Sequence, residues 1–261
     1  MEISRANLKR TRELLRDKQA RDEHGLFVAE GAKIVSDMVS KGIVPEFILV
    51  SADFETQPDN IRLLEAAGRK QILIFTTNNA SFEQLSSLRS SQGVLAVAKK
   101  PEWPEKLIHD SKLVVLCDGI QDPGNLGSIM RAAAAFNAGA VILTGDSVDA
   151  FNPKTVRGSS GAILEVPCFT GDADFIVSLK EKGFSFFVGK SGSKGKALSD
   201  IKNLPGRIIV AFGSEGKGVS DHIASKADEI FFIPVSDRVE SLNVSAACAI
   251  TLYEFHERMK Q

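Results

Sequence analysis

An α/β protein of two domains is what the sequence predicts, and three observations predict it. Short apolar runs fit for strands alternate with helical patterns along most of the chain. A charged stretch with two prolines, KKPEWPEKLIHDS (99–111), interrupts the alternation and reads as a linker. The alternation then restarts with KLVVLCD (112–118), a continuous apolar run of the kind shown by parallel strands buried on both faces. The expected division is a smaller N-terminal α/β domain with its linker at residues 1–105 and a second domain at 106–261.

The elements follow in order. Residues 4–21 suit one basic helix, in which Arg5, Lys9, Arg10, Arg12, Arg16, Lys18 and Arg21 face only Glu13 and Asp17. Such a run is either a solvated helix face or a phosphate-binding one. LFVAE (26–30) is a strand, and Ile34, Val35, Met38 and Val39 give the next segment a helical stripe. EFILVS (46–51), QILIFTT (71–77) and GVLAVAK (93–99) read as strands, separated by the helical DNIRLLEAAG and NASFEQLSSL. In the second domain Asn125–Phe136 reads as a helix, GAVILTG (139–145) as a strand, and Pro153 suits the first turn of a helix. DADFIVSLKEKG (172–183) is helical; FSFFVGK, RIIVAFG and EIFFIPV are strands. The last helix, from about Asn243 to Met259, carries Val244, Ala247, Cys248, Thr251, Leu252, Phe255 and Met259 on one apolar stripe.

Composition narrows the classes. The 261 residues are 43% hydrophobic and 25% charged with a net charge of −1, an ordinary globular balance in which any nucleic-acid surface must be a local patch. No apolar run approaches the roughly 18 residues of a membrane span, and the charged start does not read as a secretory signal. Cys117, Cys168 and Cys248 lie far apart in apolar surroundings, and His24, His109, His222 and His256 are equally scattered. That pattern argues against a structural metal site and for free thiols in a reducing cytoplasm.

Three segments that follow strands of the second domain hold the candidate chemistry: CDGIQDPGNLGSIMRAA (117–133), AFGSEGKGVS (211–220) and FIPVSDRVESLNVSAA (232–247). Open α/β sheets bind ligands at the carboxyl ends of their strands. The glycines Gly213, Gly216 and Gly218 are not spaced as GxGxxG, and Lys217 precedes a glycine where a Walker loop needs Ser or Thr. Glu215 would repel a phosphate, so the loop suits a cationic, phosphate-free ligand such as S-adenosylmethionine; the glycines equally suit a tight turn. Asn125 stands at a helix start, where capping would explain it, and Ser241 and Asn243 stand at another. Arg131 is a lone charge in a helix of Ala, Ile, Met and Phe, which points to function more than to solvation.

Together DPGNLGSIMRAA, FGSEGKGVS and IPVSDRVESLNVSAA resemble, in order and spacing, the three motifs of the SpoU/TrmH RNA 2′-O-ribose methyltransferases of the SPOUT superfamily. The resemblance spans about residues 110–260, and the first domain resembles, more loosely, the RNA-binding domain many members carry. It implies a SPOUT-type catalytic domain with a trefoil knot, a homodimer using the last helix, and S-adenosylmethionine as methyl donor. Gly213, Glu215, Gly216, Ile233 and Leu242 match donor-binding positions; Asn125, Arg131, Glu215, Ser241 and Asn243 match catalytic ones. The family assigns Arg131 to activating the ribose hydroxyl. A guanidinium is a poor base, so electrostatic stabilisation of the developing alkoxide is the preferred role. Glu215 would either face the cationic donor or hold the loops by accepting backbone hydrogen bonds. Val235 and Asp237 stand where members commonly have Met and Gly. The expected substrate is a structured RNA, ribosomal RNA ahead of transfer RNA, gripped by Lys9, Arg10, Arg12 and Arg16. A non-catalytic RNA-binding protein of the same fold and a nucleotide-dependent enzyme are the alternatives.

Overall fold

The structure is a computed structural model that describes residues 1–86, 88, 90–192 and 195–260. Its elements in chain order begin with α1 (Arg5–Arg16), α2 (Lys18–His24), β1 (Leu26–Glu30), α3 (Ala32–Ser40), β2 (Phe47–Ser51), α4 (Ala52–Thr56) and α5 (Pro58–Arg69). They continue with β3 (Ile74–Thr77), α6 (Asn79–Leu85), β4 (Val94–Lys99), α7 (Lys106–His109), β5 (Leu113–Asp118), α8 (Pro123–Ala135), β6 (Ala140–Thr144) and α9 (Pro153–Gly158). Last come β7 (Cys168–Thr170), α10 (Ala173–Glu181), β8 (Ser185–Gly189), β9 (Lys196–Ala197), β10 (Ile208–Gly213), α11 (Asp221–Ala224), β11 (Glu229–Phe232) and α12 (Val244–Met259). The chain divides into one unit of Met1–Pro101 with Phe151–Gly161, and another of Glu102–Ala150 with Ala162–Gln261.

The first unit is built on a four-stranded sheet in the order β1-β4-β2-β3, antiparallel except for the β2–β3 pair. Leu14 and Leu15 of α1 join Val28, Leu49, Leu95 and Phe82 in its core. The expected single helix over 4–21 is instead two. Asp17 adopts an extended conformation (φ −118°, ψ 123°), and its carboxylate caps the second helix by accepting from the Gln19 N–H. The break turns Arg21 inward, where its guanidinium donates to the Leu14 carbonyl at 2.7 Å. The expected NASFEQLSSL helix includes Ser87, outside the described residues; α6 ends at Leu85.

Residues 151–161 leave the second stretch of chain and pack with this first unit. The Phe151 ring stands 5.0 Å from Phe27, and Arg157 stands 3.6 Å from the buried carboxylate of Glu30. A single linear boundary near residue 105 does not describe that excursion. Its signal in the sequence was faint, because NPKTVRGSSG carries neither a strand pattern nor a linker composition.

The second unit is a seven-stranded, wholly parallel sheet in the order β7-β6-β5-β10-β8-β11-β9. Every residue of β5 and of β10 is buried, which is why both read as unbroken apolar runs. Val114, Leu116, Ile209 and Ala211 point into a core shared with Ile176 and Leu179 of α10. The Phe255 ring of α12 meets Phe187 at 5.8 Å and Phe231 at 6.1 Å. Removing that ring would cost about 3–5 kcal/mol in lost burial and a residual cavity. From β5 the chain runs outward through β6 to β7, and the later strands add on the other side. The carboxyl ends of β5 and β10 therefore form a topological switch point, where such sheets open a crevice.

Candidate functional site

Three loops leave the carboxyl ends of β8, β10 and β11 and line an open cavity of about 880 Å³. That volume lies within the range of small-molecule sites, roughly 300–1,000 Å³. Gly213, Glu215, Gly216, Ile233, Ser241, Leu242 and Asn243 all line it. Its charged lining is Glu215, Asp221, Asp237 and Glu240 against Lys190 and Lys217, four carboxylates to two ammonium groups. A ligand bearing positive charge is favoured there and a polyphosphate is not.

Gly213 is required by packing. A Cβ at this position would stand 1.9 Å from the Gly218 carbonyl carbon and 2.0 Å from the Val219 nitrogen. The turn it roots is closed by the Gly218 N–H donating to the Ser214 carbonyl at 2.8 Å, with Gly218 itself at φ +68°. At Gly216 an added Cβ would meet nothing within 4 Å, so no protein atom demands that glycine.

Glu215, Asn125 and Asn243 are brought together from three separate segments. The Asn125 Nδ2 donates to Glu215 Oε1 at 2.8 Å, and the Asn243 Nδ2 donates to the same oxygen at 2.8 Å. Asn243 Nδ2 also donates to Asn125 Oδ1 at 3.0 Å. The orientations are fixed by the other partners. Asn243 is the N-cap of α12, its Oδ1 accepting the Ser245 N–H at 2.9 Å, which turns its amide nitrogen toward the carboxylate. Capping does not explain Asn125. The cap of α8 is Asp122, whose carboxylate accepts the Asn125 N–H at 2.9 Å and leaves the asparagine side chain for Glu215. Of the two roles expected of Glu215, facing a cationic donor or accepting backbone hydrogen bonds, the second takes another form: its partners are side-chain amides, and the carboxylate also lines the cavity.

Arg131 is not part of this cavity lining. Six residues beyond Asn125 on α8, it is turned about 120° around the helix from it. It is exposed and makes no ion pair or hydrogen bond among the described residues. The Ser241 hydroxyl is likewise exposed and without a protein partner among them.

The apolar stripe of α12 is filled by its own chain: Val244, Cys248, Thr251, Leu252 and Phe255 are buried. The large apolar side chains the helix leaves exposed are Ile250 and Tyr253, the latter with its ring 5.8 Å from Phe136, the C-cap of α8. Desolvation pushes up the thiols of the buried Cys117 and Cys248, and that of the half-buried Cys168 to about 12. In the first unit Lys9, Arg12 and Arg16 are exposed on α1, Lys9 with a loose 3.8 Å pair to Glu13. Arg10 is engaged elsewhere. Its guanidinium donates to Glu46 at 2.8 Å and lies 5.9 Å from the centre of the Phe47 ring.

The sequence model of the SpoU rRNA methylase family matches residues 112–253, a stretch that holds all three loops. The chain belongs to that family. A second family model, the MRM3-like substrate-binding domain, matches residues 6–96. The chain is 32% identical to the 23S rRNA (guanosine(2553)-2′-O)-methyltransferase RlmP of Bacillus subtilis (strain 168), over 92% of each chain. It is 27% identical to the mitochondrial rRNA methyltransferase 3 of Xenopus tropicalis, a longer protein of which it spans 61%. Among solved structures, the AdoMet-bound rRNA methyltransferase of Sinorhizobium meliloti superposes with a TM-score of 0.83 at 26% identity, over 99% of this chain and 98% of that one. Relative to the motifs common in SpoU proteins, Val235 and Asp237 here line the cavity as an exposed valine and a further carboxylate.

A buried carboxylate at the end of β5, Asp118, was not singled out from the sequence, although it lies within the CDG that opens the 117–133 segment. A charged residue closing an otherwise apolar strand was the signal.

Proposed function

We propose that this SpoU protein transfers a methyl group from S-adenosylmethionine to a ribose 2′-hydroxyl of a structured RNA, ribosomal RNA ahead of transfer RNA. The observation that carries the reading is the hydrogen-bonded Asn125–Glu215–Asn243 cluster on the rim of a carboxylate-rich cavity. The cavity residues fit the donor. It carries a sulfonium and an ammonium but no phosphate, and its size suits a volume of about 880 Å³. Gly213, Gly216, Ile233 and Leu242 would offer it backbone groups, and the carboxylates would complement its charge. The donor supplies an electrophilic methyl carbon.

The chain's own residues do the rest. Glu215 holds the two asparagines, so that Asn243 borders the cavity in a fixed position where the hydroxyl can be oriented, with the unpartnered Ser241 hydroxyl beside it. Arg131, exposed and unpaired among the described residues, is available to a ribose or phosphate oxygen and would stabilise the alkoxide as the hydroxyl proton passes to solvent water. Lys9, Arg12 and Arg16 of α1 would meet RNA phosphates. Arg10, committed to Glu46, would support the helix instead.

Further parts of the reading rest on the family. The loops of the second unit would be threaded as a trefoil knot, a rare topology. A homodimer would use the Ile250–Tyr253 face of α12, since the stripe beneath is already buried. Three cysteines without disulfides suit a reducing cytoplasm. The test is titration calorimetry of the purified chain with S-adenosylmethionine, followed by mapping of 2′-O-methyl marks in total RNA after deletion. Micromolar binding and one lost ribosomal mark are expected. A chain that binds no donor would leave an RNA-binding protein on the same fold.

A further inference from the structure

We infer that Asp118 is a positioning residue for the donor loop, holding the far end of the turn on which Glu215 stands. The inference rests on the donor-binding reading above. Asp118 closes β5 and is only 6% exposed, so its carboxylate must be matched by hydrogen bonds. Oδ1 accepts the Thr144 hydroxyl at 2.8 Å and Oδ2 accepts the Ser220 backbone N–H at 2.7 Å. In the sheet register Asp118 lies between Thr144 of β6 and Gly213 of β10. One carboxylate therefore stands beside the residue where the chain leaves the sheet and grips the residue where the turn returns.

The geometry of the turn shows why that grip matters. Its root is tied by Gly213 packing against Gly218 and Val219, and by the Gly218 N–H to the Ser214 carbonyl. Val219 is buried in the core beside Ile223, and Ser220 leads directly into α11. Between these ties the tip, Glu215–Gly216–Lys217, is exposed and borders the cavity. Without the Asp118 bond, the return limb would lose its polar anchor to the central strand. Glu215 would then meet Asn125 and Asn243 only part of the time. Thr144, 2% exposed, orients the carboxylate for this task. Gly145 at φ +59° turns the chain away beside it; a Cβ there would stand 3.2 Å from Oδ1.

A carboxylate serving stability alone would lower the melting temperature without altering donor affinity in the folded protein. A positioning role separates the two. The experiment is calorimetric titration of the full chain with S-adenosylmethionine, with steady-state kinetics and thermal melts, for wild type, Asp118→Ala, Asp118→Asn and Thr144→Val. For Asp118→Ala the donor Kd and KM should rise on the order of 10- to 100-fold, the worth of a hydrogen bond to a charged group, while kcat stays within about threefold at saturating donor, where the bound donor draws the turn back into place. Asp118→Asn should recover most of the affinity, since one amide oxygen can still accept the Ser220 N–H. Thr144→Val should cost about threefold. Wild-type affinity in a folded Asp118→Ala protein overturns the inference, as does an Asp118→Asn protein no better than Asp118→Ala. If Asp118→Ala does not fold, unchanged affinity in Thr144→Val overturns it. A wild type that binds no donor removes the functional reading first, and this inference with it.

Discussion

Glu215 and Arg131 carry opposite charges and were both expected at the reaction centre, yet the fold treats them differently. Glu215 is held by two asparagine amides at 2.8 Å each, on a turn whose root is fixed by backbone packing. Arg131 stands exposed on α8 with no protein partner among the described residues. On the reading proposed above, the contrast would separate a donor side that the protein completes by itself from an acceptor side completed when RNA arrives. Ordering the loops during folding removes that cost from donor binding, whereas a free guanidinium keeps its hydrogen-bonding capacity for the substrate.

The change with the largest expected effect attacks the finished side. Gly213→Trp, or even Gly213→Ala, places carbon within 2 Å of the Gly218–Val219 backbone, which cannot yield without opening the turn. Donor binding by calorimetry should fall beyond detection for the tryptophan variant. Retained micromolar affinity would place the donor elsewhere. Next comes Arg131→Ala, on the order of 100- to 1,000-fold in kcat at saturating RNA and donor, with donor Kd unchanged. A parallel loss of donor affinity would break the division proposed here, because it would put Arg131 in the donor pocket.

A smaller effect distinguishes the two roles open to Glu215. Both asparagine amides donate to the one oxygen Oε1, so a glutamine can accept both while removing the charge. If holding the asparagines is the main role, Glu215→Ala should weaken donor binding about 10- to 100-fold and Glu215→Gln only a few-fold. Equal losses in both variants would assign the carboxylate to the cationic donor instead.

How much of this was legible beforehand follows the same division. The parallel strands were readable because burial on both faces leaves unbroken apolar runs such as KLVVLCD and RIIVAFG. The three loops were readable because they follow such runs, where open sheets bind ligands, and because together they resemble one family's motifs; their glycines and asparagines alone would equally suit turns and caps. Partners across the fold were not. That Asn125 turns to Glu215 rather than capping α8 depends on Asp122 taking the cap, three residues away in sequence and equivalent in propensity. The single helix expected over 4–21 failed for a related reason. Asp17 looked like an ordinary helical residue of a charged surface, but its capping bond to Gln19 starts a new helix and turns Arg21 into the core. Charge counts on a helix do not reveal which cations are already spent.

That last point gives the finest test, within the basic helix itself. Arg12 and Arg16 are exposed and unpaired among the described residues, whereas Arg10 is bound to Glu46 and lies beside Phe47. If α1 grips RNA phosphates, replacing Arg12 and Arg16 by alanine should flatten the dependence of log K on log salt by roughly 1.5, since each contact releases most of one counterion. Arg10→Ala should leave that slope unchanged and instead lower the melting temperature by a few degrees, through loss of a half-buried pair and its aromatic contact. The measurement is fluorescence anisotropy with a structured RNA from about 50 to 200 mM salt. A slope that falls equally for Arg10→Ala would mean that Arg10 gives up Glu46 when RNA binds. The first unit would then share the pre-arranged character of the donor loops less than its hydrogen bonds suggest.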